Sequence, residues 1–503
     1  MTRRTHKIFN APGKPDCWRL VLGLALLASI PQLGGAASPA HADSFVPSTL
    51  VVSRIQYIAD TNPARSGESF PLIFSDPNVT GIQGKIFLDM FRPDPGSHRL
   101  GSLALTDLTN GAVTTSFSSK SEGSLHLSVD GHSLTYMGYI GPAGAEGVSN
   151  SETTGATLTT NTAPTFDRAV ALIAAGGAVS FTREINAFSG DNPRGAITIN
   201  GNQFYMAGNA DSSLNKDGTG PGTTIGIRLG TPFLTTSFQL GTYFASDRPD
   251  ESTKQHIKDN NWRGVGIFNG NLYVSKGSGG NGDDGIFQVE NVTAAGLPVG
   301  GTTNAIVQLI GNQATNPATG ASSLLTPFDF FFANPTTLYV ADEGNATITT
   351  TNASGNPVTN LVSDPLAGLQ KWVLVNSIWQ LEYVLQAGLE LNEPRSVAGY
   401  PVPTYTTGLR NITGQVNGDG TVTLYAITAQ TSSISGGEPD PTKLVMVTDA
   451  LAATALPTDD GHRHCDDRDC DRDGLDRRLE KFVTLETSRS GEVFRGVAFA
   501  PAP

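Results

Sequence analysis

Arg194–Gly208 reads RGAITINGNQFYMAG, and Arg263–Gly277 reads RGVGIFNGNLYVSKG. Each is a short β-branched or aromatic run, an Asn-Gly pair and a second such run. Asn-Gly supplies the positive φ angles that a tight hairpin needs, so each stretch predicts two antiparallel strands. Looser copies stand at Leu125–Gly138 with a turn at Asp130-Gly131, at Phe328–Asp342 with a turn at Asn334-Pro335, and at Arg410–Thr428 with a turn at Asn417–Gly420. A tyrosine recurs in the second strand of every copy: Tyr136, Tyr205, Tyr273, Tyr339 and Tyr425, at intervals of 69, 68, 66 and 86 residues.

Two further strands fit between successive hairpins. They are Arg168–Ile173 and Ala178–Thr182, then Thr224–Leu229 and Ser237–Tyr243, then Ile286–Val289 and Ala305–Ile310. Lys371–Val375 with Ile378–Leu385, and Lys443–Thr448 with Phe482–Leu485, complete the series. Four antiparallel strands per repeat is the blade of a β-propeller. The ends fit the same scheme. Phe494–Phe499 (FRGVAF) copies a first strand with no second strand after it, and Ser48–Tyr57 (STLVVSRIQY) reads as a second strand without a first. Pairing them, with Gly84–Phe91 and Leu100–Leu105 outside, closes the ring and removes its exposed sheet edges. The expectation is an all-β, six-bladed β-propeller of four-stranded blades. Seven blades is the alternative, if a long interval hides a degenerate one.

Composition agrees. The 503 residues include 57 glycines, and helical periodicity is almost absent, as in a chain of many short strands. No linker divides the chain, so length is explained by repetition rather than by several domains. Leu338–Asn345 (LYVADEGN) resembles the central phrase of NHL repeats, and Leu272–Ser275 (LYVS) echoes it. The resemblance implies a six-bladed propeller of the NHL-like or TolB-like type. It implies no activity, because such rings serve both as binding modules and as hydrolases.

The first 42 residues read as a removable signal peptide. Arg3, Arg4, Lys7, Lys14 and Arg19 precede an apolar run at Leu20–Ile30 that is too short to span a bilayer. Ala40-His41-Ala42 then offers small residues for cleavage after Ala42. A single domain at 43–503, secreted or periplasmic, is expected. The net charge of −13 sits on a chain whose leader is basic, so the remainder is more acidic still. That charge argues against nucleic acid and anionic membranes as partners. No later run is long enough for membrane insertion, and a monomer is expected.

Two places could carry a site. The residue opening the repeated hairpin is arginine in four copies: Arg194, Arg263, Arg410 and Arg495. Glu122 stands near that place in a fifth, and Thr326-Pro327 with Asp329 in a sixth. The innermost strands of a propeller line its channel, so these side chains are expected around one channel mouth. Guanidinium forks gathered there would hold a small anionic ligand or an acidic surface of a protein. The competing reading is that each arginine pairs with a carboxylate such as Asp191, Asp259 or Glu492 and only ties blades together.

The second place is a charged insertion at 458–481. Asp469, Asp471 and Asp473 alternate, Gly474 follows, Leu475 stands at the seventh position and Glu480 at the twelfth. This spacing resembles EF-hand or dockerin-like calcium loops, and implies Ca2+ bound by those side chains and by the Leu475 carbonyl. Asp476 departs from the pattern at a usually apolar position, and no helices flank the loop. A solvated insertion is the plainer reading. His462, His464, Cys465 and Cys470 leave a transition metal or a small disulfide open as well. Catalytic signatures such as Gly-x-Ser-x-Gly or His-Glu-x-x-His are missing. A binding propeller is therefore preferred. The alternative is a calcium-dependent lactonase-like hydrolase using inward residues such as Glu122, Asp329 and Asn411.

Overall fold

In the computed structural model every expected hairpin is an antiparallel pair. Register sets Leu125 against Tyr136, Ile197 against Tyr205, Gly266 against Tyr273, Phe331 against Tyr339 and Thr413 against Tyr425. The structure describes residues 44–57, 82–108, 113–117, 119–155, 164–209, 226–232, 234–241, 261–277, 284–301, 304–311, 313–315, 322–345, 350–351, 357–358, 364–433, 440–456 and 480–503. Among these, no helix is long and apolar enough to cross a membrane.

The turns differ in detail. Asn269 and Gly270 both have positive φ, as a two-residue hairpin demands. At the sister turn only Gly201 does, and the connection widens to 198–203, braced by the Gly201 amide on Thr198 Oγ1 at 2.8 Å.

Each hairpin continues outward as a meander. Pro193–Ile197 leads to Phe204–Gly208, Ile227–Gly230 and Phe238–Gln239. Trp262–Phe268 leads to Asn271–Lys276, Gly285–Glu290 and Ala305–Ile310. Pro327–Asn334 leads to Thr337–Asp342, Gly368–Val375 and Ile378–Leu385. Thr404–Val416 leads to Thr421–Ser432, Lys443–Ala450 and Val483–Thr487, with Pro394–Arg395 added at its inner edge.

A nine-stranded sheet holds the rest. Leu50–Gln56 pairs on one side with Glu492–Phe499, setting Val52 against Val497, and on the other with Gln83–Phe91. The expected union of the two termini is thus present. Val113–Ser116 bridges this group to the meander that runs from Leu125–Leu127 through Ser133–Ile140 and Arg168–Ala174 to Val179–Glu184. That bridging strand, and the helical turn Leu105–Leu108 before it, were not expected. A polar four-residue run (VTTS) gives no clear strand signal.

The innermost strands neighbour one another in a closed cycle. Glu492–Phe499 lies beside Leu125–Leu127, then come Pro193–Ile197, Trp262–Phe268, Pro327–Asn334 and Thr404–Val416, which returns to Glu492–Phe499. The fold is an all-β propeller. Apolar residues of the second and third strands, such as Val274, Phe287, Val340, Leu369, Leu424 and Val445, fill the layers between sheets. Trp262 is fully buried, edge-on to Phe287 at 5.2 Å.

Hydroxyls staple neighbouring sheets where the strands are most buried. Ser275 Oγ accepts from the Gly264 amide at 2.7 Å and donates to the Phe328 carbonyl of the next sheet at 2.6 Å. Ser53 Oγ repeats this between Gly496 N and Gly123 O, at 2.8 and 2.7 Å. Thr135 Oγ1 reaches the Ala196 carbonyl at 2.5 Å. Each staple satisfies backbone groups that burial would otherwise strand.

Candidate functional site

The four repeated arginines sit near the start of innermost strands or, for Arg410, within one. Each is followed by Gly195, Gly264, Asn411 or Gly496. The glycine is required at two of these positions. A Cβ on Gly264 would lie 2.6 Å from Asp329 Oδ1, and one on Gly496 would lie 2.5 Å from the Leu125 amide nitrogen. The corresponding place in the Pro327–Asn334 strand is Phe328. Its ring lies under both neighbouring guanidinium groups, Arg263 at 5.4 Å and Arg410 at 5.9 Å, a cation–π arrangement.

The arginines were expected around an open channel mouth, but all four are buried, as is Glu122. Arg263 and Arg410 share a counter-charge in Glu343, a residue of the LYVADEGN phrase. Arg263 pairs with it at 2.9 Å, Arg410 at 3.3 Å and Lys120 at 3.9 Å. Burial works against its charge, yet Arg263, Lys120 and Arg410 together hold its carboxyl down to about 2. The neighbouring Asp342 accepts from Thr326 N at 2.9 Å, Gly344 N at 2.9 Å and Gln370 Nε2 at 2.9 Å. Those bonds shape the strand end that delivers Glu343 to the cluster. The available signal was positional, since a residue just past the second strand of a hairpin returns to the end where the first strand began.

The other two arginines bond backbone carbonyls. Arg194 donates to the Trp262 carbonyl at 2.8 Å and Arg495 to the Phe117 carbonyl at 2.9 Å. Burial, then repulsion from Arg263, pushes the Arg194 guanidinium down to about 9, despite Asp191, Glu122 and Glu343. Of the carboxylates expected to tie the arginines, Asp191 is the one whose charge most supports Arg194. Glu492 pairs with Arg54 at 3.0 Å, Asp191 accepts from Asn209 at 2.7 Å, and Asp259 lies outside the described residues.

Glu122 is spent within its own surroundings. It accepts from Thr115 Oγ1 and Ser116 N at 2.9 Å, Tyr139 at 2.6 Å and Asn192 at 2.5 Å. Asp329 and Asn411, by contrast, do come together. Asn411 Nδ2 donates to Asp329 Oδ2 at 2.5 Å, and Asn411 Oδ1 accepts from the Val497 amide at 2.6 Å. His126 approaches Asp329 Oδ2 at 3.8 Å from another innermost strand. Burial raises Asp329 to about 7 and lowers His126 to about 4. This bonded group joins innermost strands through their side chains, one residue along from the arginine level.

Asp469, Asp471, Asp473 and Leu475 of the calcium-like loop lie outside the described residues, as do His462, His464, Cys465 and Cys470. Glu480 is described. It is buried beside the Lys371–Asp449 ion pair, with burial and the Asp449 charge raising its carboxyl. Among the described residues no group of three or more His, Cys, Asp and Glu side chains is spaced for a metal.

No family model matches the chain, and no curated protein does. Among solved structures it is similar to the hemagglutinin-neuraminidase ectodomain of parainfluenza virus 5. The match is 11% identical over 71% of this chain and 74% of that one, at a TM-score of 0.34. The same protein with ligand DANA matches at 11% identity over 72% and 82%, TM-score 0.34. An S. cerevisiae assembly of dbp5 with nup159, gle1, ip6 and adp matches at 8% identity over 65% and 86%, TM-score 0.26. Likenesses this loose carry neither a blade count nor a function.

Proposed function

We propose that this chain is an exported six-bladed β-propeller, of the NHL-like or TolB-like kind, that binds a small anion on its arginine cluster. The cyclic order of innermost strands supports six blades, with the two termini sharing one of them. Export rests on the basic and apolar pattern of residues 1–42, with cleavage after Ala42, and the product is a monomer of residues 43–503.

One observation carries the binding function. Three buried guanidinium groups gather from three strands: Arg263 and Arg410 share Glu343 and the Phe328 ring, and Arg194 lies near enough to Arg263 to be repelled by it. Burying like charges close together is costly, and the lowered basicity of Arg194, from burial and from Arg263, is its local symptom. An anion accepting from Arg194 and Arg263 would relieve that cost, and it would meet donors already held in place, Arg263 by Phe328 and Glu343 and Arg194 by the Trp262 carbonyl.

The test is a thermal-shift series with inorganic phosphate, sulfate and citrate, against glycerol as a neutral control. The expected result is a rise in Tm with at least one anion, reduced in Arg194→Gln. No anion-specific rise, or the same rise in the variant, would overturn the assignment.

A further inference from the structure

A second site lies at the far end of the same strands. Trp262–Phe268 begins beside Arg263 and ends at Phe268, where a groove of about 650 Å³ opens between its own sheet and the Pro327–Asn334 sheet. That volume is within the range of small-molecule sites. Aromatic rings build it. Phe268 stacks on Phe332 at 4.8 Å and 8°, Tyr273 leans on Phe332 at 4.6 Å, and Trp379 meets it edge-on at 6.0 Å.

The polar part of the lining consists of amides and two hydroxyls: Asn269, Asn271, Gln288, Gln308, Ser377 and the Tyr273 phenol. Among the described residues no charged side chain lines it. Tyr273, Gln288 and Val307 face one another across three strands, so ring, amide and methyl groups form one row. Tyr273 also departs from its repeats. Tyr205 and Tyr425 give their hydroxyls to the Pro298 and Pro93 carbonyls, and Tyr339 gives its to Asp449, whereas the Tyr273 hydroxyl has the Asn271 side chain beside it at the groove. Ile378, 65% exposed, extends the apolar rim from the Asn376-Ser377 turn, where both residues have positive φ.

We propose that this groove binds a neutral saccharide. A sugar ring presents an apolar C–H face and an equatorial belt of hydroxyls, each both donor and acceptor. Aromatic faces match the first, and side-chain amides, with one acceptor and two donors each, match the second. An anionic ligand would find no cation among the described lining residues, and a purely apolar partner would strand the amides. The site is independent of the arginine cluster and does not rest on the anion reading.

The test is calorimetric titration of the purified full chain with cellohexaose, chitohexaose, mannohexaose and xylohexaose. At least one should bind saturably, with Kd in the range of about 10 μM to 1 mM. Trp379→Ala on an outermost strand, and Gln288→Ala at the groove surface, should each weaken it about tenfold, while Arg194→Gln leaves it unchanged. Circular dichroism of each variant shows that the fold is kept. No saturable binding by any of the four, binding that survives both groove variants, or binding lost in Arg194→Gln would overturn the proposal.

Discussion

Replacing Glu343 by glutamine removes a carboxylate that Arg263, Arg410 and Lys120 share and leaves the two guanidinium charges buried together without it. Its carboxyl is held at about 2, against an ordinary value of 4.5. That gap corresponds to about 3 kcal/mol at about 1.4 kcal/mol per pH unit, the same size as the loss of one partner from a buried pair. With about 2 cal/mol/K of unfolding entropy per residue over a chain of this length, the expected fall in Tm is about 3 °C at neutral pH.

The pH dependence has a definite sign. A carboxyl whose folded value is depressed stabilises the fold above its unfolded value and loses that contribution as pH falls through the folded one. The difference between wild type and Glu343→Gln should therefore be full above about pH 5 and shrink between about 4.5 and about 2. Differential scanning fluorimetry across that range measures it. If the cluster admits an anion, phosphate should also raise the Tm of Glu343→Gln more than that of wild type. A neutral-pH change under about 0.5 °C, or a difference independent of pH, would refute the role given to Glu343.

Other outcomes follow from the same structure. Burial raises Asp329 to about 7, so its contribution declines as pH rises from about 4 to about 7; Asp329→Asn should gain Tm on wild type between pH 5 and pH 8, and a constant difference would count against it. Ser275→Ala removes the staple between Gly264 N and Phe328 O and should cost about 1–3 kcal/mol in urea unfolding, whereas Ser102→Ala at a more exposed position should cost less. Gly264→Ala drives a methyl against Asp329 and Phe328, and should lower soluble yield or Tm far more than Gly270→Ser at the exposed turn. Intact mass of the exported protein should begin at Asp43, and a retained leader would remove the export proposal.

The fold was legible because its signal repeats. Asn-Gly turns, the recurring tyrosine and the orphan strands at each end are local patterns, and local patterns survive in a single sequence. The bridging strand Val113–Ser116 was not legible, since its pairing with Gln83 and Ile140 depends on two sheets meeting. The site was half legible. The arginines share a position in the repeat, and that position is visible. Their burial is not, nor is the identity of Glu343 as counter-charge, because it arrives from the other strand of a different hairpin. Asp329 and Asn411 looked scattered for a similar reason, as they are 82 residues apart and meet only when their strands become neighbours.

The most direct measurement is calorimetric titration of citrate, phosphate and sulfate into wild type and into the double variant Arg194→Gln/Arg263→Gln. The expected result is one saturable site in wild type, weakened by added salt and absent from the double variant while circular dichroism remains unchanged. Saturable binding of equal strength in both chains, or no binding of any of the three anions to wild type, would contradict an anion site built on the arginine cluster.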